Sequence, residues 1–585
     1  MAHIRTFEEL EALPPTKAEW QLINAAKAGE FCTLGDGSLP ESDTSNPARE
    51  IRAEVLRYLI LGGCGDFFVD EAGVRLKGAT IKGSLNLNFT STSGVIGVLH
   101  SRFTDSIKMA QTKCKILDIK GCAFVGLAAS GIEVVGTLDL SDARSSSCIR
   151  LNNAKIGGAL ILIGAQLTSS TDYALDAEDA EVTGPIYFHP TVREKRAKVE
   201  TKFRAKGGIS LISSSIGGLY AQDIRLTADQ GNAALQAVNF TVNGPARFDG
   251  SNIAGQVNLS GATITGDMTC KGTTFYAPNE EAFIARRMKV TQSFIWRKDT
   301  KATGAVILDG AHVAELDDNP ASWPDADQLS LDGFTYGRIA EYTSYDDARK
   351  KWLRNGSLVD GKFFPQPYTQ YAKFLRDTGH DAQARQVLLT RETKVRKYER
   401  KELGWFQPYG WGLVKRVSRG FWDRLQWIVV GHGHAPFWSI GWLALLIALA
   451  TIPAHKAWEE GSFTPNSGPV LMSDYWQSLQ ILALTSPAKI WAGDEPLPDW
   501  APPSPDTPWK SRAPGRDWET FSRYAYAADI VIPLINFGQT EAWAPSTTRG
   551  PWGWRMWWLR WVFTVLGWIV TALSAAAITG IIRRE

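Results

Sequence analysis

The chain has 585 residues, and its 63 Lys and Arg nearly balance 61 Asp and Glu, for a formal net charge of +2. That length exceeds the roughly 100–200 residues of one domain, so several units are expected, while the charge balance excludes a uniformly polybasic nucleic-acid binder and an acidic tail protein. A mean hydropathy of −0.16 reads as an average soluble protein, but the average joins two halves: 19 of 23 Trp lie within 405–568, and all six Cys precede residue 271.

Residues 1–72 form the first expected unit, a helical cap. The first 31 residues are polar and lack the apolar core of a signal peptide. Asn46-Pro47 supplies an N-cap and a first-turn proline. Ile51, Val55, Leu56, Leu59 and Ile60 then keep helical spacing until Gly62-Gly63. Such a helix would cover the open end of the next unit and hide strand edges that invite aggregation.

From Val74 the apolar period becomes 2, and the pattern apolar-x-Gly-x-apolar-x-apolar recurs. Examples are Ile81-x-Gly83-x-Leu85-x-Leu87, Val134-x-Gly136-x-Leu138-x-Leu140, Ile156-x-Gly158-x-Leu160-x-Leu162 and Ile264-x-Gly266-x-Met268-x-Cys270. At several steps the starting positions lie 11, 22 or 26 residues apart, as at 134, 156 and 182 and at 242, 253, 264 and 290. This spacing predicts a β-solenoid over 73–340, with two short strands in each coil of about 22 residues. Stacked coils share one core that a single coil cannot make, and Gly permits close corners. The rival β-sandwich needs no Gly fixed two residues after an apolar position. Cys32, Cys64, Cys114, Cys122, Cys148 and Cys270 form no C-x-x-C pair and read as buried small hydrophobes in a reducing compartment, which places this half in the cytoplasm. Residues 193–206 hold seven Lys or Arg against two Glu and read as a solvated helix or loop; with no interleaved aromatic beyond Phe203, no nucleic acid is expected there.

A helical hairpin and a basic collar are expected over 341–430. Tyr371, Phe374 and Leu375 face Ala384, Val387 and Leu388 across a turn at Gly379-His380, where His380 reads as a cap or surface residue. Residues 385–424, Arg416 and Arg419 among them, carry 11 Lys or Arg against 4 Asp or Glu.

The last expected unit, 431–585, is a transmembrane domain. Residues 435–454 and 561–582 are free of charge and long enough to cross a bilayer, which takes about 20 residues. Trp438, Trp442, Trp557, Trp558 and Trp561 lie near their ends, where indole prefers the interface. The connection 455–557 carries 8 Lys or Arg against 11 Asp or Glu, so the positive-inside tendency puts both termini in the cytoplasm. Within it, 496–514 contains seven Pro, flanked by apolar stretches 475–487 and 524–537 too short to span. A helix, a re-entrant segment and a second helix is the topology of a pore-loop subunit. Asp529, Pro533, Asn536 and Gln539 are the candidate pore-lining or re-entrant residues. Ala572, Ala576 and Gly580 are the candidate packing face for a homo-oligomer.

The sequence carries several resemblances. Pro367-Tyr368-x-x-Tyr371-Ala372-x-x-Leu375-Arg376-x-x-Gly379-His380 is similar to a tetratricopeptide-like helix pair, which implies packing or partner docking. The coils look like those of pentapeptide-repeat proteins without the strict five-residue repeat. Gly431-His432-Gly433-His434-Ala435-Pro436 resembles the Gly-Tyr-Gly-x-x-Pro lead-in of bacterial pentapeptide-repeat proteins fused to two-helix ion-channel domains. Residues 526–539 stand where that family has its pore helix and filter. No Thr-Val-Gly-Tyr-Gly filter occurs, so potassium selectivity is not expected. As a whole the chain resembles bacterial proteins labelled "membrane-associated oxidoreductase", from the 49–62 helix to Gly580-Ile581-Ile582-Arg583-Arg584. The resemblance implies a multi-pass protein of the bacterial inner membrane.

An oxidoreductase needs a nucleotide, flavin, haem or metal site. The segment after Gly62-Gly63-Cys64-Gly65 lacks the third Gly of a dinucleotide fingerprint. Gly356 to Lys362 has P-loop spacing, yet Phe363 replaces the Mg²⁺-binding hydroxyl. His432 and His434 could hold a metal or titrate near neutrality, but Gly spacers favour polar residues at a membrane boundary. No cofactor is expected, and enzyme activity has no residue-level support. The expected function is a cytoplasmic solenoid, sensing or docking an unknown partner or ligand, that controls an oligomeric pore-like domain in the lipid bilayer. The alternative is a membrane-anchored scaffold recruiting partners, and a membrane-associated oxidoreductase ranks below it.

Overall fold

The computed structural model describes the chain except residues 1–3, 5, 13, 42–45, 65–66, 93, 171–172, 191–201, 229–232, 298, 326, 341–345, 403–421, 423, 432–436, 478, 480–508, 512, 514 and 580–585. The chain divides into two compact units, Met1–Val387 and Leu388–Glu585.

The first unit is a parallel β-solenoid of about 11 turns followed by helices. Its strands form one sheet of 18 and one of 19, and every pairing between rungs is parallel. Each regular coil carries four two-residue strands rather than the two expected. Glu133–Val134 and Leu138–Asp139 join one sheet, and Arg144–Ser145 and Ile149–Arg150 the other. The bend between the members of each pair is what the sequence period of 11 conceals.

Apolar residues stack in columns inside. Val134, Ile156, Val182, Ile216, Val242, Ile264, Val290 and Val313 occupy one register position in successive rungs, and all are buried. Leu127, Ile149, Leu175, Ile209, Leu235 and Val257 form another. Each such side chain contributes about 1.5–3 kcal/mol. Cys32, Cys114, Cys122, Cys148 and Cys270 are buried free thiols; burial pushes Cys32 up to about 11 and Cys114 and Cys122 up to about 12. The side chain of Cys64 lies outside the described residues.

The motif glycines act mainly by close approach. A Cβ on Gly158, Gly184 or Gly266 would lie 2.7–2.8 Å from the glycine one rung away, Gly136, Gly158 and Gly244 respectively. Left-handed backbone falls instead at the corners between sheets, at Asp142, Asn153, Asp179, Asp223 and Asn239 with φ of 54–56°. Asp and Asn tolerate that region better than other side chains.

Both ends are closed. The N-terminal cap is woven into the first coil: Cys32–Thr33 pairs with Gly73–Lys77, and Glu50–Arg52 with Thr80–Lys82. Asn46 therefore caps a short 3-10 turn, Pro47–Arg49, and the following helix begins only at Ala53. Ile51 faces the core from a strand. A preceding helix, Lys17–Ala28, starts with a capping box of Thr16 and Glu19. At the far end Phe275, Trp296 and Trp323 stack in sequence at 5.4 and 4.8 Å. There Arg349 makes a buried two-point ion pair with Asp318 at 2.9 and 3.1 Å, and Trp323 Nε1 donates to Asp318 at 2.7 Å. Gln366 and Gln370, on the helix Gln366–Asp377, reach the backbone of the last rung: Gly333 N–H donates to Gln366 Oε1 at 3.0 Å, and Gln370 Nε2 donates to the Tyr336 carbonyl at 2.7 Å.

Part of the basic stretch 193–206 belongs to the solenoid. Phe203 is buried 4.7 Å from Phe188, and Arg204–Lys206 is a strand. The P-loop-like stretch is a β-hairpin, with Leu358–Val359 paired to Lys362–Phe363 around Asp360 and Gly361, both at positive φ. The helical hairpin forms as expected, with Gly379 left-handed before the helix Asp381–Glu402. The His380 ring meets Thr378 Oγ1 at 3.1 Å, a local contact at the turn.

Candidate functional site

Two helices of the second unit, Trp438–Glu459 and Pro551–Ile578, are long and apolar enough to cross a membrane. Only 28% and 22% of their apolar windows are buried within the chain, unlike the core helices of a soluble domain. Their outer surfaces expose Trp438, Ile440, Trp442, Leu445, Leu449 and Ile452 on the first, and Trp558, Trp561, Val562, Val565, Leu566 and Trp568 on the second. These faces suit hydrocarbon and an aromatic interface, and they indicate membrane association.

The connection between the helices folds back onto them. Phe463–Pro465 pairs antiparallel with Trp543–Pro545. Glu460, one residue beyond the first helix, takes the place of a cap on the second. Its Oε2 accepts from Trp552 and Gly553 N–H at 2.8 and 3.3 Å and from Ser462 Oγ at 2.9 Å. A carboxylate there satisfies orphan donors and meets the positive end of the helix dipole. Gly553 leaves room for Ser462, which a Cβ would crowd.

A short helix, Arg523–Val531, lies between the two long ones, sharing a core with Ala450, Ala454 and Ala457 of the first and Met556 and Phe563 of the second. The Val531 carbonyl rests where a Cβ on Gly567 would stand. Gly567 is 16 residues beyond Pro551, about 24 Å along the helix at 1.5 Å per residue. The 524–537 stretch thus reaches deep along the spans. The partner stretch, 475–487, lies largely outside the described residues.

The structure brings the candidate residues of this stretch together, each hydrogen-bonded to neighbouring groups of the connection. Asp529 accepts from the backbone N–H of Phe537, Gln539 and Thr540 at 2.5, 2.8 and 3.2 Å. Asn536 Oδ1 accepts from Gly538 N–H at 2.7 Å, and its Nδ2 donates to Glu541 at 2.7 Å. Gln539 is buried, accepting from Ser522 N–H and donating to the Thr520 carbonyl at 2.8 and 3.0 Å. Pro533 lies two residues past the end of the short helix. The loop turns Leu534, Ile535 and Phe537 outward.

Ala572 is exposed and Ala576 half-buried, while the second helix packs within the chain through Phe563, Gly567, Val570 and Ala577. Gly580, His432, His434, Arg416 and Arg419 lie outside the described residues. Sequence reasoning missed Glu460, Gly553, Gly567 and the 2.9 Å contact between Ser439 and Ser574 hydroxyls. A lone glycine inside an apolar helix was the available signal for close approach. Among the described residues no cluster of three or more His, Cys, Asp or Glu could hold a metal. Comparisons with protein families, with curated proteins and with solved structures found no match.

Proposed function

We propose that this chain is a membrane-anchored β-solenoid scaffold, in which the second unit holds a docking or sensing solenoid at a bilayer. The observation that carries this reading is the division of polarity in the second unit. Its long helices expose apolar and Trp side chains, whereas Asp529, Asn536 and Gln539 spend their hydrogen bonds on neighbouring groups of the connection between those helices. Polar groups that line a conduction path face water or ions, whereas Gln539 is buried and the Asp529 carboxylate is taken up by three backbone N–H groups. A second reading, an oligomeric pore controlled by the solenoid, draws support from the short helix lying between two long ones. The exposed Ala572 suits contact with another copy.

Reconstitution separates the two. The full chain in liposomes is expected to float with the vesicles, resist alkaline carbonate and carry no K⁺, Na⁺ or Cl⁻ flux. Flux above protein-free vesicles would favour the pore, and extraction by carbonate would remove the membrane anchor from both readings.

A further inference from the structure

Each sheet of the solenoid is bent into two strips, and one outward strip of each carries surface charge in a different way. On one, the outward column reads Lys113, Glu133, Lys155 and Glu181 in successive rungs. Its signs alternate, and Lys113 meets Glu133 at 2.8 Å. On the other, the outward column reads Arg144, Gln166, Arg204 and Arg225, continuing through Asn252 and Thr274 to Lys301. Beside it run Thr168, Lys206, Thr227, Ala254 and Tyr276. Neither column contains an acid. Arg144, Arg204, Lys206, Arg225 and Lys301 are all exposed, and none forms an ion pair among the described residues. Neighbouring rungs lie about 4.8 Å apart, so Arg204 and Arg225 stand side by side with like charge, an arrangement that disfavours the fold unless an anion answers it. Tyr276 is 50% exposed on the same face.

We propose that this face of the solenoid lies against an anionic lipid surface. The inference rests on the membrane association argued above and names what the solenoid touches. Guanidinium groups pair with phosphate through two parallel hydrogen bonds, and cations with a half-exposed tyrosine are the composition of an interfacial surface. Because the spans hold the solenoid near the bilayer, the contact forms at high effective concentration and need not be strong alone.

The test uses the full chain with Cys64→Ser, since the other described thiols are buried. A fluorophore is attached at Ser146→Cys on the basic face, or at Glu181→Cys on the alternating face as control. Energy transfer to a lipid-borne acceptor is read in phosphatidylcholine vesicles with and without phosphatidylglycerol. Phosphatidylglycerol is expected to raise transfer at position 146 and leave position 181 unchanged. High salt and R204E/R225E should each abolish the rise, lowering occupancy of the lipid-bound arrangement at least about tenfold, since each cation near such a surface is worth about one kcal/mol. R204K/R225K should keep it. No rise at 146 in chain that floats, an equal rise at 181, or a rise that survives charge reversal overturns the proposal. So does binding of soluble polyglutamate without any lipid response, which would assign the face to an acidic protein. Failure to float with either vesicle overturns the membrane reading and this proposal together.

Discussion

Glu19 shows how one side chain fastens the cap to the solenoid. It is fully buried, and its carboxylate accepts from Arg52 Nε and Nη2 at 2.8 and 2.9 Å, from Arg52 N–H at 3.0 Å and from Thr16 N–H at 2.9 Å. Burial pushes the Glu19 pKa up, but the Arg52 guanidinium and the two N–H groups outweigh it and hold it below the usual carboxylate value. A carboxyl whose folded pKa is depressed stabilises the fold above its unfolded value of about 4.3, and that contribution disappears as pH falls through the folded value. Calorimetry of the first unit's transition is therefore expected to show stability dropping below about pH 4.3. Glu19→Gln should cost about 1.5–3 kcal/mol at neutral pH and shrink the acid-side drop. An unchanged pH profile in the variant would assign the acid sensitivity elsewhere.

At the scale of elements, the open end of the last rung is closed by side chains of a helix instead of another strand. Gln366 and Gln370 are one helical turn apart, so both amides reach the same edge, where Gln366 Nε2 also donates to the Phe334 carbonyl at 3.3 Å. The double variant Q366A/Q370A removes three hydrogen bonds, each worth about 0.5–1.5 kcal/mol, and bares an edge able to pair with another chain. Lowered melting together with self-association in light scattering is the expected outcome; a stable species of unchanged size would show that the edge needs no cover. This closure was not legible in sequence, because an amide that serves backbone atoms has no partner residue to match. The same limit hid Glu460 against Trp552 and Gly567 against Val531. By contrast, both long apolar helices were legible, since absence of charge over such a length is itself the physical requirement.

Over the whole molecule, the solenoid was legible because its core is one-dimensional. Val134, Ile156 and Val182 each repeat the same instruction, and Gly136, Gly158 and Gly184 mark where rungs touch. The four-strand coil was not legible, since the alternation of Val134, Gly136, Leu138 and Leu140 runs unbroken through the bend between Glu133–Val134 and Leu138–Asp139. The shared register of Val134 and Ile156 has a further consequence. Residues 134–155 are one complete, interchangeable module, and joining Glu133 to Ile156 brings equivalent positions together. Excising that module should leave a folded protein with its caps intact, shorter by one inter-strand spacing of about 4.8 Å; small-angle scattering and thermal melting would check it, and an unfolded product would show that the rungs are not equivalent. Length in this half of the chain therefore comes in whole steps, and duplication or loss of one segment resets the span of the surface it offers without redesigning its interior.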